Sequence, residues 1–183
     1  MKHFTKLLAA VALVAAVCVG FASCGDDNKG DEPKPSSKLT LINTFKFSAS
    51  ADFVELADIK VDYTDFAGVK HTKAVAAGDN VIKFSTATFP ASSSFAITVT
   101  PKTAELVKEK YDVAYSIELG TDVQDATGKI APVGEFGKYS QKYEGLKKEG
   151  VPNILPKIKN YIEVHNADYS HQYFNNNGVI TYK

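Results

Sequence analysis

The segment Val113-Ala114-Tyr115-Ser116-Ile117-Glu118-Leu119 places an apolar side chain at every second position. Because successive side chains of a β-strand point to opposite faces, this spacing predicts a strand with one buried and one solvated face. The same alternation recurs earlier in the chain, at Leu39, Leu41, Phe45 and Phe47; at Ile59, Val61 and Tyr63; at Ile82 and Phe84; and at Phe95, Ile97 and Val99. The pattern therefore predicts a series of short strands.

Turn-forming residues lie between these strands. Glycine, proline, aspartate, asparagine and serine favour turns because they adopt positive φ, fix φ or bond to the nearby backbone. Such clusters occur at Asp65-Phe66-Ala67-Gly68, Gly78-Asp79-Asn80, Pro90-Ala91-Ser92-Ser93-Ser94 and Gly120-Thr121-Asp122. Short strands with regular turns are typical of an antiparallel β-sandwich, so we expect a mainly β fold, immunoglobulin-like in general plan, as a single domain over residues 39–183.

Helical segments are fewer. Helix-forming residues follow Pro101 as far as Lys110, which predicts one or two helical turns linking two sheets. Residues Ser140 to Lys148 are a candidate for a surface helix. Over residues 151–165 the apolar positions fit a helical face, but Ile158, Ile162 and Val164 also fit alternation, so both structures stay open.

The end of the chain predicts a closing hairpin. Tyr169 to Phe174 and Val179 to Tyr182 are the two strands, and Asn175-Asn176-Asn177-Gly178 forms a turn that requires positive φ. Aromatic rings beside amide and carboxylate side chains are also typical of a sugar-binding surface. The candidate ligand-binding residues are Tyr161, His165, Asn166, Asp168, Tyr169, His171, Gln172, Tyr173 and Asn175 to Asn177. The alternative is a hairpin whose tyrosines pack half-buried and whose asparagines build turns.

The start of the chain has the features of an export signal. Met1-Lys2-His3-Phe4-Thr5-Lys6 precedes an apolar run from Leu7 to Phe21, and Ala22-Ser23-Cys24 follows. A basic start, an apolar run too short to span a bilayer, and small residues before a cysteine predict a signal peptide over residues 1–23.

The motif Phe21-Ala22-Ser23-Cys24 resembles the lipobox of bacterial lipoproteins. The resemblance implies that Cys24 becomes the first residue of the mature protein and carries acyl chains. Each buried methylene contributes about 0.8 kcal/mol to membrane binding, so several chains anchor a protein without help from the polypeptide. The alternative is that Cys24 is an ordinary cysteine after a conventional cleavage site.

Residues 24–38 form a polar linker. The segment is rich in glycine, aspartate, proline and serine, which disfavour helix and strand, so we expect an extended, solvated tether. Asp26-Asp27 and Asp31-Glu32 also resemble the acidic signal of surface-exposed lipoproteins of the Bacteroides group. That resemblance implies an outer-membrane location. The domain then lies either in the periplasm or outside the cell. The simpler alternative is a soluble linker.

Composition argues against several classes of function. All 21 basic residues are lysine, and removal of residues 1–23 leaves 19 lysines against 21 acids, a net charge of −2. Without arginine or a basic field, we expect no nucleic-acid partner. Cys18 leaves with the signal and Cys24 is lipidated, so we expect no disulfide, no zinc–cysteine site and no cysteine nucleophile in the mature domain.

Candidates for catalysis and metal binding are weak. His165, Asp168 and His171 carry metal-binding side chains, but their spacing matches no zinc signature. The carboxylates of Glu55, Asp58, Asp62 and Asp65 surround one predicted strand, whereas a glycosidase needs two acids opposed across a cleft. Ser92-Ser93-Ser94 has no nucleophile-elbow motif. We therefore expect no catalytic residue, no metal and no cofactor.

The sequence as a whole indicates an envelope protein anchored to a membrane through lipid on Cys24. We expect a non-catalytic binding or structural module whose partner is a glycan or an envelope protein. One alternative is an accessory glycan-binding lipoprotein of a polysaccharide-uptake system, and another is a small glycan hydrolase. A subunit of a surface polymer is a further alternative, and it would require an exposed sheet edge and a complementary donor segment.

Overall fold

The computed structural model of the protein describes residues 38–103 and 105–183. The predicted signal peptide, Cys24 and the linker up to residue 37 lie outside the described residues. Nine strands are present in the described part: β1 (Thr40–Ala49), β2 (Ala57–Thr64), β3 (Lys70–Ala74), β4 (Gly78–Thr86), β5 (Ala91–Pro101), β6 (Lys110–Gln124), β7 (Ile130–Lys147), β8 (Ser170–Asn176) and β9 (Val179–Tyr182). Two α-helices accompany them, α1 (Ala51–Leu56) and α2 (Val151–Val164).

The strands form two antiparallel sheets, with the orders β4-β1-β6-β7 and β3-β2-β5-β8-β9. Alternate residues of β1 point into the interior, as the sequence pattern predicts. The two sheets meet there, since Phe45 of β1 stacks on Phe95 of β5 with ring centroids 4.5 Å apart. Burial of such side chains contributes about 1.5 to 3 kcal/mol each. The predicted mainly β, antiparallel sandwich is confirmed.

The first helix lies where the sequence predicted no helix. Ser50 caps α1, because its Oγ accepts a hydrogen bond from the Phe53 backbone N–H at 3.2 Å. Phe53 and Leu56, three positions apart, are the buried residues of its inner face. The hydroxyl cap and the two apolar side chains help to turn the chain from β1 into β2.

The helix predicted after Pro101 is wrong for the residues that the structure describes there. The backbone N–H of Lys102 donates to the Leu56 carbonyl at 2.9 Å, and that of Lys108 donates to the Tyr111 hydroxyl at 3.1 Å. Lys108 Nζ binds Asp52 and a second carboxylate of α1. Tertiary partners have replaced the local helical hydrogen bonds, so this segment is an irregular connection between β5 and β6.

The helix predicted over residues 140–148 is also wrong, because most of this stretch is the end of β7. Half-buried residues such as Tyr139 and Tyr143 alternate with exposed ones, and both tyrosines pack against the core. The pairing with β6 contains register shifts, and Gly137 and Gly145 have φ of 52° and 58°. These irregularities interrupt the alternation of buried and exposed residues, so the sequence pattern does not indicate a strand here.

Three of the four predicted turns belong wholly or mainly to strands. Gly78-Asp79-Asn80 begins β4, Ala91 to Ser94 begin β5, and Gly120-Thr121-Asp122 lies inside β6. The prediction for Asp65 to Gly68 is correct, since the Asp65 carboxylate accepts the backbone N–H groups of residues 67 and 69. In this chain, turn-forming residue types do not reliably mark turns, because several of them are buried and form hydrogen bonds between the sheets.

The open question over residues 151–165 is answered by α2, whose buried residues Val151, Leu155, Ile158 and Ile162 follow a helical period. The end of this helix covers a stretch of β5 that β8 does not pair. The Asn166 side chain accepts from the Ile97 N–H at 2.8 Å and donates to the Ile97 carbonyl at 3.0 Å. Glu163 accepts from the Val99 N–H at 3.3 Å. Side chains thus take the place of a neighbouring strand.

The predicted closing hairpin is present as β8 and β9. Asn177 and Gly178 have φ of 54° and 87°, which is the positive-φ pair of a tight hairpin turn. Within residues 38–103 and 105–183, neither helix has the length and apolar character needed to cross a membrane.

The interior has two parts of different character. The main core is the large apolar cluster that includes Phe45, Phe95 and Tyr169. The polar end consists of Asn43, Ser93, Thr121 and Tyr173, all buried. Asn43 donates to Ser93 Oγ at 2.7 Å, Thr121 donates to Asn43 Oδ1 at 2.9 Å, and the Tyr173 hydroxyl lies 3.0 Å from Thr121 Oγ1. This network joins β1, β5, β6 and β8.

Candidate functional site

Two of the predicted ligand-binding residues belong to the interior. Tyr169 and Tyr173 are both 0% exposed, so neither ring has a face available to a ligand. Tyr169 meets Phe45 edge to face at 5.5 Å in the main core, and Tyr173 belongs to the polar end. The prediction that these two rings bind ligand is therefore wrong. The alternative of packed tyrosines is closer, but it predicted half-buried rings, and both are fully buried.

The predicted asparagines and the glutamine of this region have structural partners or lie outside the site. Both groups of the Asn166 amide bind the backbone of Ile97, as described above. Asn175 Oδ1 accepts from the Gly178 N–H at 2.9 Å and so builds the hairpin turn, and Asn176 donates to Thr181 Oγ1. Gln172 is an exposed β8 residue whose backbone pairs with Lys183. The sequence pattern did not distinguish these roles from ligand binding.

His171 is half-buried and held in place. Its Nε2 donates to the Asp168 backbone carbonyl at 3.0 Å, and its ring centroid lies 4.2 Å from that of Phe136. Because a carbonyl only accepts, the proton of the neutral ring is on Nε2. His171 therefore supports the turn that contains Asp168.

The remaining predicted residues, Tyr161, His165 and Asp168, come together with Tyr139 of β7, which the sequence did not predict. We call these four residues the Asp168 cluster. The Tyr139 hydroxyl donates to Asp168 Oδ2 at 2.5 Å, and His165 Nδ1 lies 3.0 Å from the same oxygen. The Tyr139 and His165 rings stack at 4.1 Å, and Tyr161 meets the His165 ring edge to face at 4.8 Å.

Local structure explains this arrangement. Tyr161 and His165 are four residues apart at the end of α2, a spacing that places side chains on the same face of a helix. The 3₁₀ turn His165–Tyr169 then brings Asp168 back beside His165. Tyr139 approaches from β7, whose edge lies beside this turn. Two consecutive local elements and one distant strand therefore build the cluster.

The cluster lies at the surface. The side chain of Asp168 is 44% exposed and that of His165 is 27% exposed, while both tyrosines are half-buried. All four side chains are thus partly covered by the protein and partly accessible to solvent. Oδ1 of Asp168 has no hydrogen-bond partner among residues 38–103 and 105–183. It is available to accept a hydrogen bond from a ligand.

The electrostatics of the cluster follow from its contacts. The Tyr139 hydroxyl, and after it His165, hold the pKa of Asp168 below its ordinary value, because both stabilise the charged carboxylate. The same carboxylate raises the pKa of Tyr139 to about 12. At neutral pH the cluster is therefore a fixed anionic acceptor flanked by a neutral phenol and an imidazole.

The four acids considered for catalysis are spread over α1, β2 and the following turn, and each has its own partner. Glu55 binds Lys108 at 2.6 Å, Asp58 lies 3.3 Å from Lys102, Asp62 accepts from Thr72, and Asp65 binds His71 at 2.9 Å. The Asp65–His71 pair was not predicted, because the two residues meet only through the β2–β3 turn.

Among the residues that the structure describes, no group of three or more histidine, cysteine, aspartate or glutamate side chains is placed to hold a metal ion. Comparisons of the chain with models of protein families, with curated proteins and with solved structures find no match.

Proposed function

We propose that this chain is a lipid-anchored protein of the cell envelope, and that its β-sandwich is a non-catalytic module that binds a glycan through the Asp168 cluster. The observation that carries the proposal is the geometry of that cluster. One carboxylate holds a phenol and an imidazole by hydrogen bonds at the surface, and its second oxygen remains available.

The chemistry of the cluster suits a sugar. Pyranose rings present C–H groups on one face and hydroxyls around the rim. The rings of Tyr161 and His165 offer surfaces for C–H contact, and Oδ1 of Asp168 accepts a hydroxyl proton. This combination is one aromatic surface with one anionic acceptor beside it.

The cluster is also arranged before any ligand binds. Contact with Asp168 and His165 restricts the Tyr139 side chain, and the end of α2 fixes the spacing between Tyr161 and His165. Ordering of side chains costs about 0.5 to 1.5 kcal/mol each on binding, so a surface that is already ordered retains more of its contact energy.

The anchor is supported by the sequence alone. The apolar run before Ala22-Ser23-Cys24 and the polar linker over residues 24–38 place a folded domain on a tether at a membrane surface. A domain in that position meets polysaccharides outside the inner membrane. The proposed partners are therefore the membrane, through lipid on Cys24, and a glycan or glycan-bearing envelope protein.

A glycan array followed by titration of the full chain tests the binding function. A shallow site of this size predicts millimolar to micromolar affinity, or about −4 to −8 kcal/mol. Tyr161→Ala should weaken binding by about tenfold or more, since one ring carries much of the contact. Asp168→Asn keeps the shape of the side chain and should weaken binding by about three- to tenfold through loss of the charged acceptor.

Tyr182→Ala is the matched control, because Tyr182 is 48% exposed on β9 and is not part of the cluster. It should bind as the unchanged chain does, and thermal unfolding should show that all three variants are folded. Binding that survives both Tyr161→Ala and Asp168→Asn would refute the assignment of the site. Release of free sugar during the titration would refute the non-catalytic function and favour a hydrolase.

The anchor is tested separately. Cys24→Ala should move the protein from the membrane fraction to the soluble fraction of its cells, because several acyl chains are lost at once. Mass spectrometry of the unchanged protein should find an acylated Cys24 as the first residue. An unmodified Cys24, or a mature chain that starts elsewhere, would contradict the proposed anchor.

A further inference from the structure

A cavity of about 300 Å³ lies between α1, the first turns of α2 and the connection from β5 to β6. None of the residues around it belongs to the Asp168 cluster. Its floor is formed by four buried side chains, Leu56, Tyr111, Val151 and Leu155. Ligand sites in proteins are concave and mostly apolar, and this volume is at the lower end of their usual range.

The charged groups at the mouth of the cavity are largely engaged. Lys102 Nζ donates to the Val54 carbonyl at 2.9 Å and lies 3.3 Å from Asp58. Glu55 is bound by Lys108 at 2.6 Å. These two cations and this acid therefore contribute little to recognition of a ligand.

One charged acceptor remains at the mouth. Glu105 lines the cavity, is exposed, and has no ion-pair or hydrogen-bond partner in the described part of the chain. Its carboxylate is therefore available to a ligand.

We propose that this cavity binds a small amphiphile that has an alkyl chain and a protonated amine. The alkyl chain occupies the apolar floor, and the ammonium group donates to the Glu105 carboxylate. The shape of the cavity selects the apolar part of the ligand, and the carboxylate selects its charge. This site is separate from the proposed glycan surface, so failure of one leaves the other unaffected.

Binding of octylammonium to the full chain, followed by NMR of the Leu56 and Leu155 methyl groups, tests the proposal. Octyl sulfate, which has the same chain and the opposite charge, is the matched ligand. We expect octylammonium to shift these methyl signals and to bind about tenfold more tightly than octyl sulfate. Absence of methyl shifts, or equal binding of the two ligands, would overturn the proposal.

Two variants locate the site. Thr103→Trp places an indole at the mouth from an exposed position and should weaken octylammonium binding by about tenfold or more. Val107→Trp adds the same ring to the same connection, at a residue that is 75% exposed and does not line the cavity, and should have no effect. Equal loss in both variants, or no loss in Thr103→Trp, would overturn the assignment of the cavity.

A charge reversal gives an independent measurement. Glu105→Lys changes an exposed side chain, so the fold should be kept, and it should invert the preference so that octyl sulfate binds better than octylammonium. An unchanged preference in this variant would show that Glu105 does not recognise the ligand.

Discussion

Tyr169 and Tyr173 lie four residues apart and are equally buried, but their hydroxyls have opposite surroundings. In the main core, the hydroxyls of Tyr169 and Tyr115 have no hydrogen-bond partner among the described residues. In the polar end, the hydroxyl of Tyr173 joins Thr121, which in turn binds Asn43. One region is held by ring packing and the other by directed hydrogen bonds.

This difference indicates different roles for the two regions. Apolar contacts in the main core have no strong directional preference, so neighbouring registers of the two sheets would bury similar area. The hydrogen bonds of the polar end form only when β1, β5, β6 and β8 are aligned as observed. We therefore expect the main core to supply most of the stability and the polar end to select the alignment.

The largest expected effect tests ring packing in the main core. A Cβ added to Gly137 would lie 2.2 Å from the Tyr169 ring, and φ at this position is +52°. Gly137→Ala should therefore lower the free energy of unfolding by about 3 kcal/mol, from overpacking and backbone strain together. Gly145→Ala is the matched control, with φ of +58° and only a van der Waals contact at 3.9 Å. Chemical denaturation should find a loss of about 1 kcal/mol for the control, and equal losses would show that the ring contact is unimportant.

The next test breaks the polar end at its centre. Asn43→Leu removes the donor to Ser93 and the acceptor for Thr121, and it leaves both hydroxyls buried. The free energy of unfolding should fall by about 2 to 3 kcal/mol. If the same denaturation assay finds no change in the free energy of unfolding, the hydrogen bonds of Asn43 contribute nothing beyond the space that its side chain fills.

Alkaline unfolding distinguishes the two regions by proton binding. Burial raises the pKa of Tyr115 and Tyr169, so the unfolded chain loses these protons first and stability falls as pH rises above about 10. Raising the pH to about 11 should therefore destabilise each of the variants Tyr115→Phe and Tyr169→Phe by about 1.4 kcal/mol less than it destabilises the unchanged chain. Burial also raises the pKa of Tyr173, but its hydrogen bonds oppose the shift. Tyr173→Phe should therefore reduce the alkaline loss of stability by a smaller amount. Parallel pH profiles for all three variants would contradict this account.

The smallest expected effect is at neutral pH. Tyr169→Phe and Tyr115→Phe delete hydroxyls that lack partners, so stability should stay unchanged or rise by as much as about 1 kcal/mol. Tyr173→Phe deletes a bonded hydroxyl and should cost about 1 kcal/mol. Thermal unfolding of the three variants side by side gives the comparison directly, and a cost for Tyr169→Phe as large as that for Tyr173→Phe would remove the distinction.

The strands that the sequence predicts correctly are those with several apolar residues at every second position, such as Phe45 and Phe47 in β1 and Val113 to Leu119 in β6. The sequence of β3, Lys-His-Thr-Lys-Ala, has no large apolar residue, because this strand lies at a sheet edge and forms mainly by pairing with β2. In β7, positive φ at Gly137 and Gly145 interrupts the alternation. Tertiary pairing, which a local pattern does not contain, decides the structure at these places.

The candidate site shows the same limit. Tyr161, His165 and Asp168 lie within eight residues, and the sequence names all three as candidates, although it left helix and strand open over residues 151–165. The helix α2 and the turn after it are what bring them together. Tyr139 precedes Asp168 by 29 residues and reaches it only through the path of β7. Tyr169 and Tyr173 have the same residue type and local context as a binding tyrosine. Only the position of the opposite sheet decides that they are buried.

The side chains at the end of α2 have a consequence for crowding at a membrane. Proteins tethered to a surface meet their neighbours at high local concentration, and an open strand edge there would recruit strands from adjacent copies and start aggregation. Asn166 occupies both backbone groups of Ile97, and Glu163 occupies the N–H of Val99, so three of the positions that an added strand would use here are already taken. With the anchor proposed above, this helix end would help to keep densely packed copies separate.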